Sequence, residues 1–182
     1  MERSAAPAGG DFYAVSIPNK EIEAVYRNEI LLKLSPIIPP SAASAIRLAI
    51  CSNDAPALRE SLRKLLLRSA SCYDTVGENF YHGLLLGLCA AMEGYSVASN
   101  RESGEGRYDI CLKPGTDRLP GVLIELKAEK RCSPAKLKEL ALAALRQIED
   151  RHYDTELAAD GVRTILKYGV AFSGKSVEVA SA

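Results

Sequence analysis

Three charged side chains interrupt two stretches that otherwise read as core strands: Asp109 within residues 106–110, and Glu125 and Lys127 within residues 121–127. Val, Ile, Leu and Tyr dominate both stretches, and a buried strand has no ordinary use for charge. Side chains alternate along a strand, so Arg107, Asp109 and Cys111 are expected on one face of the first, and Glu125 and Lys127 on one face of the second. Residues 113–120, with two prolines, a glycine and an aspartate, are turn chemistry and predict an antiparallel hairpin. With Asp109 opposite Glu125, Lys113 falls opposite Gly121 and the loop closes. Two carboxylates and an ammonium then share one patch of one sheet face. Carboxylates this close repel, which raises a pKa unless a cation lies between them. Their natural partner is a hard divalent metal, most simply Mg2+ with Mn2+ as substitute, which takes carboxylates, waters and phosphate oxygens. The carbonyl of Leu126, between the two charged positions, is expected to complete the protein ligands.

Holding these groups requires a sheet with covered faces. A helix is expected over residues 74–92, apolar nearly all round and therefore buried, with Gly83 and Gly87 allowing a neighbour to approach closely. A strand over residues 95–99, a polar loop over 100–106, and the two charged strands follow. Residues 134–150 form an amphipathic helix with Leu137, Leu140, Ala141, Ala144 and Ile148 inward, and two further strands cover 165–172 and 176–180. Helix, three strands, helix, two strands is an α/β layer, its sheet mostly buried by flanking helices. A loose leader (residues 1–16) comes first, with a short extended piece beginning at Asp11. Helical patterns opening at Pro18, Ser41 and Asn53–Asp54 give an N-terminal helical subdomain over residues 17–71, without chemistry of its own. Its apolar stripes need covering, so it is expected to pack on the layer formed by residues 72–182.

Composition sets limits on function. The 182 residues carry zero net charge, which excludes a strongly basic nucleic-acid coat, although residues 101–138 hold nine Lys/Arg against six Asp/Glu around the suspicious carboxylates. Five cysteines, odd in number and without C-x-x-C spacing, read as small buried hydrophobes in a reducing compartment. The start lacks the basic and apolar segments of a signal peptide, and the longest apolar run is too short to span a bilayer. A cytoplasmic protein without membrane attachment is expected. Aromatics are 6% of residues with no Trp, so no stacking platform for single strands stands out.

Taken in order, FYHGLLLGL at residues 80–88, SNRESGEGRYD at 99–109, IELK at 124–127, ALRQI at 144–148 with Tyr153, and GVAFSGK at 169–175 resemble the PD-(D/E)XK nuclease superfamily. The resemblance is closest to the nuclease-like C-terminal domain of bacterial and archaeal proteins whose other half is an AAA-type ATPase-like domain. It covers roughly residues 72–180, and IPNKE at 17–21 is similar to the entry of the preceding helical linker. The ATPase-like half has no counterpart in this sequence, so an ATP-dependent role is not expected of the chain itself.

The resemblance implies a restriction-endonuclease-like core with a mixed sheet, and a metal-dependent nuclease cutting phosphodiester bonds through Asp109, Glu125 and Lys127. Lys127 would neighbour the attacking water and the developing phosphorane charge; its bland alternative is a salt bridge to Glu125. Glu78, in a first helical turn, suits the helix dipole, and also matches an extra metal-binding carboxylate that the superfamily often supplies. His82 shares its helix face and is either a structural hydrogen-bonder or a supporting group. Gln147 is an ordinary surface choice, or the polar group that the helix after the ExK strand often adds to the site. Tyr153 reads first as packing at a helix end. Arg101, Ser103 and Arg107 lie on a glycine-bearing loop that is either solvated or a phosphate cradle, with Gly104 and Gly106 permitting close approach. The implied partner is nucleic acid, DNA ahead of RNA, with a homo-oligomer and an ATPase-domain partner as further expectations. The rival readings are a catalytically silent nucleic-acid- or partner-binding module of the same fold, and a helical adaptor for which the sheet is only a scaffold.

Overall fold

A computed structural model describes the backbone of residues 3–5 and 11–13, and residues 40–69 and 77–182. The helix expected from Pro18, and the first residues of the one expected from residue 74, lie outside the described residues. The chain divides into two compact units, Met1–Pro36 and Ile37–Ala182. In the first, β1 (Arg3–Ala5) and β2 (Asp11–Tyr13) pair antiparallel, so part of the expected leader is extended, paired backbone.

The second unit opens with α1 (Pro40–Cys51), Pro40 occupying the first turn where its missing N–H costs nothing. Asn53 closes α1 at φ 53°, a left-handed geometry that Asn tolerates. Asp54 then caps α2 (Ala55–Ser69) by accepting from the Ala57 N–H at 2.9 Å. After α3 (Glu78–Ala90) come β3 (Tyr95–Ser99), β4 (Glu102–Ser103), β5 (Gly106–Arg107), β6 (Ile110–Pro114) and β7 (Gly121–Ala128). Next are α4 (Pro134–Asp150), α5 (Thr155–Ala159), β8 (Ile165–Ser173) and β9 (Ser176–Ser181). Five strands form one sheet in the order β3-β6-β7-β8-β9, antiparallel except for the central β7–β8 pair. A parallel pair needs a crossover, and α4 with α5 supplies it.

Alternation along β7 assigns the faces. Val122, Ile124 and Leu126 share a core with Ile50, Leu62 and Leu65 of α1 and α2 and with Tyr81 and Leu85 of α3. Leu123 points the other way, into a cluster with Ile148, Tyr153 and Leu157. The helices α1 and α2 therefore cover the sheet as the need to bury their stripes requires, and Tyr168 pins them by donating to the Ile50 carbonyl at 2.8 Å.

Three expectations are corrected here. Residues 106–110 are not one strand: Gly106–Arg107 pairs with Glu102–Ser103 in a separate hairpin, where a loop was expected, and the main strand starts at Ile110. Arg107 and Asp109 thus do not share a strand face. A Cβ on Gly83 or Gly87 would meet nothing within 4 Å, so neither glycine serves a close approach among the described residues. The α3 helix is also only half buried, with Gly83 exposed.

The close approach occurs instead at Gly169 on β8, where a Cβ would lie 2.1 Å from the Ala141 carbonyl oxygen and 2.4 Å from the Leu145 nitrogen. Both atoms are rigid helix backbone, so α4 rests directly on the sheet at this point. Gly169 is the register partner of Glu125. Gly169→Ala is expected to lift α4 and destabilise the protein by about 1–3 kcal/mol, the range of core overpacking, which a shift in denaturant midpoint will measure.

Candidate active site

The ladder between β6 and β7 pairs Ile110 with Ile124, Cys111 with Leu123 and Leu112 with Val122. Continued by one residue, it sets Asp109 opposite Glu125. Asp109 itself sits in a bend just before β6, and its Oδ2 accepts the Leu126 N–H at 2.8 Å. That bond ties the aspartate to β7 where the ladder has ended. The N–H and C=O of one strand residue project to the same side, so the Leu126 carbonyl also faces the Asp109 side.

Glu125 lies on the same strand face as Leu123, two residues before it, and so points toward α4, where it is buried to 3% exposure. Its Oε1 accepts from the Lys127 ammonium at 3.2 Å and from the Gln147 amide nitrogen at 2.5 Å. Its Oε2 is buried and has no hydrogen-bond partner among the described residues. An unpaired buried carboxylate oxygen is costly, and burial is the first cause pushing the Glu125 pKa up to about 7, with the Asp109 charge adding to it. Lys127 and the Asp109 main-chain amide pull the other way.

Gln147 reaches Glu125 because α4 descends onto Gly169, and its amide nitrogen also bonds the Tyr153 hydroxyl at 3.2 Å. Lys127 keeps its side chain one-third exposed while touching Glu125. Asp109, Glu125, Leu126, Lys127 and Gln147 are thus brought together. Glu78 is not. It lies exposed at the start of α3, on the sheet face opposite Glu125, and among the described residues no three His, Cys, Asp or Glu side chains converge on a metal-sized site. His82, one turn on, contacts Ser99 Oγ at 3.0 Å and the Asp109 carbonyl at 3.3 Å, where it braces the bend that carries Asp109.

The Arg101–Arg107 stretch divides by burial. Arg101 and Arg107 are exposed, whereas Ser103 is buried, donating to the Tyr153 carbonyl at 2.8 Å and accepting the Glu156 N–H at 3.3 Å. Its hydroxyl is spent inside the protein. Gly104, at φ 58°, abuts the carbonyls of Arg151 and His152, where a Cβ would come within 2.3 Å. Glycine at 104 is therefore explained by seating the β4–β5 hairpin on the α4–α5 turn, without a phosphate. Cys89 and Cys111 are buried, and burial pushes both thiols up to about 12, which removes them from nucleophilic chemistry.

Compared with known protein families, residues 76–182 match the PD-(D/E)XK nuclease superfamily. The chain belongs to that superfamily. Its five-stranded mixed sheet with flanking helices agrees with a restriction-endonuclease-like core. The superfamily generally hydrolyses phosphodiester bonds and typically uses divalent metals, so its members act on nucleic acid. A comparison with curated proteins finds no match. Among the described residues no helix is long and apolar enough to cross a membrane. In this PD-(D/E)XK chain, Tyr153 is the site neighbour that sequence reading set aside as packing. The available signal was that a buried tyrosine hydroxyl needs a partner, which the Gln147 amide supplies.

Proposed function

We propose that this protein is a metal-dependent nuclease that hydrolyses phosphodiester bonds, DNA ahead of RNA, with Mg2+ or Mn2+ held by Asp109, Glu125 and the Leu126 carbonyl. One observation carries the reading: a carboxylate oxygen of Glu125 is buried without a partner beside Asp109. The donor set fits a hard cation, being two carboxylates and a carbonyl with room left for water and phosphate oxygens. When bound, the metal would polarise the scissile phosphate and make water a nucleophile near neutral pH. Asp109 keeps one oxygen on the Leu126 N–H, which fixes the other. Gln147 and Lys127 hold Glu125 Oε1, leaving Oε2 for the cation. The partly exposed Lys127 ammonium is suited to neutralise charge that grows on the phosphoryl oxygens. Arg101 and Arg107, exposed at the hairpin, are the groups we assign to the phosphate backbone.

The test is Mn2+ binding together with cleavage of circular and linear, single- and double-stranded DNA and of RNA, against an EDTA control. Asp109→Asn is expected to lose most Mn2+ affinity and all cleavage. Equal Mn2+ binding by wild type and Asp109→Asn would discard the site. Metal and nucleic-acid binding without any cleavage would favour the silent module.

A further inference from the structure

We propose that Tyr153 is a positioning residue for the metal site: through Gln147 it sets the orientation of the Glu125 carboxylate, and the β4–β5 hairpin holds Tyr153 in place. This rests on the nuclease reading above and extends it to residues that touch neither metal nor substrate.

A carboxylate held at one oxygen presents the other in a defined direction. For Glu125 the held oxygen is Oε1, and its two donors differ in stiffness. Lys127 hangs on a long, one-third exposed stem, whereas Gln147 projects from a helix seated against the sheet. Gln147 has two amide hydrogens. One goes to Glu125 and the other to the Tyr153 hydroxyl. With both engaged, the carboxamide presents its NH2 group, and not its oxygen, to the carboxylate.

Tyr153 is in turn fixed on every side. It is 3% exposed, its ring meets Tyr108 edge-on at 6.5 Å, and its N–H donates to the Ile148 carbonyl at 3.1 Å. Its own carbonyl receives the Ser103 hydroxyl. Gly106 backs onto the phenol, where a Cβ would lie 3.1 Å from the hydroxyl oxygen. The hairpin that carries Arg107 outward therefore presses on Tyr153 inward. Three contacts lead from that hairpin to the unpartnered oxygen: Gly106 to Tyr153, Tyr153 to Gln147, and Gln147 to Glu125.

Tyr153→Phe removes the hydroxyl and keeps the ring. The Gln147 carboxamide signals of the metal-free protein, read by NMR, are expected to shift and broaden. Mn2+ affinity is expected to fall roughly tenfold, as for loss of an outer hydrogen-bond partner at other metal sites. On a cleaved substrate kcat should fall with KM unchanged. Tyr168→Phe is the matched control, deleting another buried hydroxyl on the opposite face of the sheet, where it donates to the Ile50 carbonyl. It should lower thermal stability and move neither the Gln147 signals nor Mn2+ affinity. Wild-type Gln147 signals in Tyr153→Phe overturn the proposal, as does unchanged Mn2+ affinity where the wild type binds Mn2+. If the wild type takes up no Mn2+, the nuclease reading fails, and the Gln147 signals alone then decide the positioning role.

Discussion

Glu125→Gln will reduce cleavage to the EDTA level and, without metal, will make the protein more stable than wild type above pH 7. Both effects come from one oxygen. A buried carboxylate with an unpartnered Oε2 holds a cation well and tolerates its absence badly. The folded-state pKa of Glu125 is raised from 4.5 to about 7, by burial first and Asp109 second. Below pH 4.5 the folded and unfolded chains are both protonated. Between 4.5 and 7 the folded chain keeps a proton that the unfolded chain releases, so stability declines as pH rises through this window and is lowest above 7. The shift corresponds to a penalty on the order of 3 kcal/mol in the metal-free protein. The amide substitution is neutral and escapes it, less about 1 kcal/mol for an NH2 group left unpaired in the same place. Thermal melts of both proteins in EDTA at pH 5 and pH 8.5 measure this directly. The variant should gain over wild type at pH 8.5 and lose that advantage at pH 5. A variant that is the less stable protein at pH 8.5 contradicts the assigned burial of the charge.

The pairing of Asp109 with Glu125 was legible because the turn chemistry of residues 113–120 leaves few ways to close the hairpin, and the β6–β7 ladder follows that register. The α4 helix was legible to the residue, from Pro134 to Asp150, because its apolar period runs through those bounds, and the structure adds a Ser133 cap before Pro134. The β4–β5 hairpin was not legible. Two-residue strands made of Glu, Ser, Gly and Arg have no apolar alternation, and their pairing depends on the α4–α5 turn fifty residues away. The helical position of Glu78 could be read, but the sheet face to which its helix is assigned depends on tertiary packing. The glycines teach the same point. Gly83 and Gly87 suggested a close helix contact by spacing alone, whereas the real contact is at Gly169, within an apolar strand where a missing side chain needs an approaching backbone to explain it.

Lys127→Met should separate turnover from metal binding. The substitution keeps most of the stem and deletes the charge. Nζ lies 3.2 Å from Glu125 Oε1 and remains one-third exposed, so it is open to a substrate as well as to the glutamate. An ammonium cannot ligate a cation, and its charge opposes one nearby. Its favourable work falls on the phosphoryl oxygens, where negative charge grows toward the transition state. Losing one such donor costs roughly 10²–10³ in kcat. Mn2+ affinity at pH 8.5 should stay within about threefold of wild type, since a repulsive neighbour is removed while Gln147 still holds Oε1. At lower pH the two proteins should diverge. Lys127 lowers the Glu125 pKa, so its removal raises that pKa further above about 7. Protons then compete with Mn2+ over a wider range, and the acid limb of Mn2+ binding moves toward alkaline pH. Titrations at pH 6.5 and 8.5 beside single-turnover cleavage read both quantities. A parallel loss of kcat and of Mn2+ affinity at pH 8.5 would mean that Lys127 serves only to hold Glu125, and the transition-state role would then pass to the exposed arginines of the hairpin.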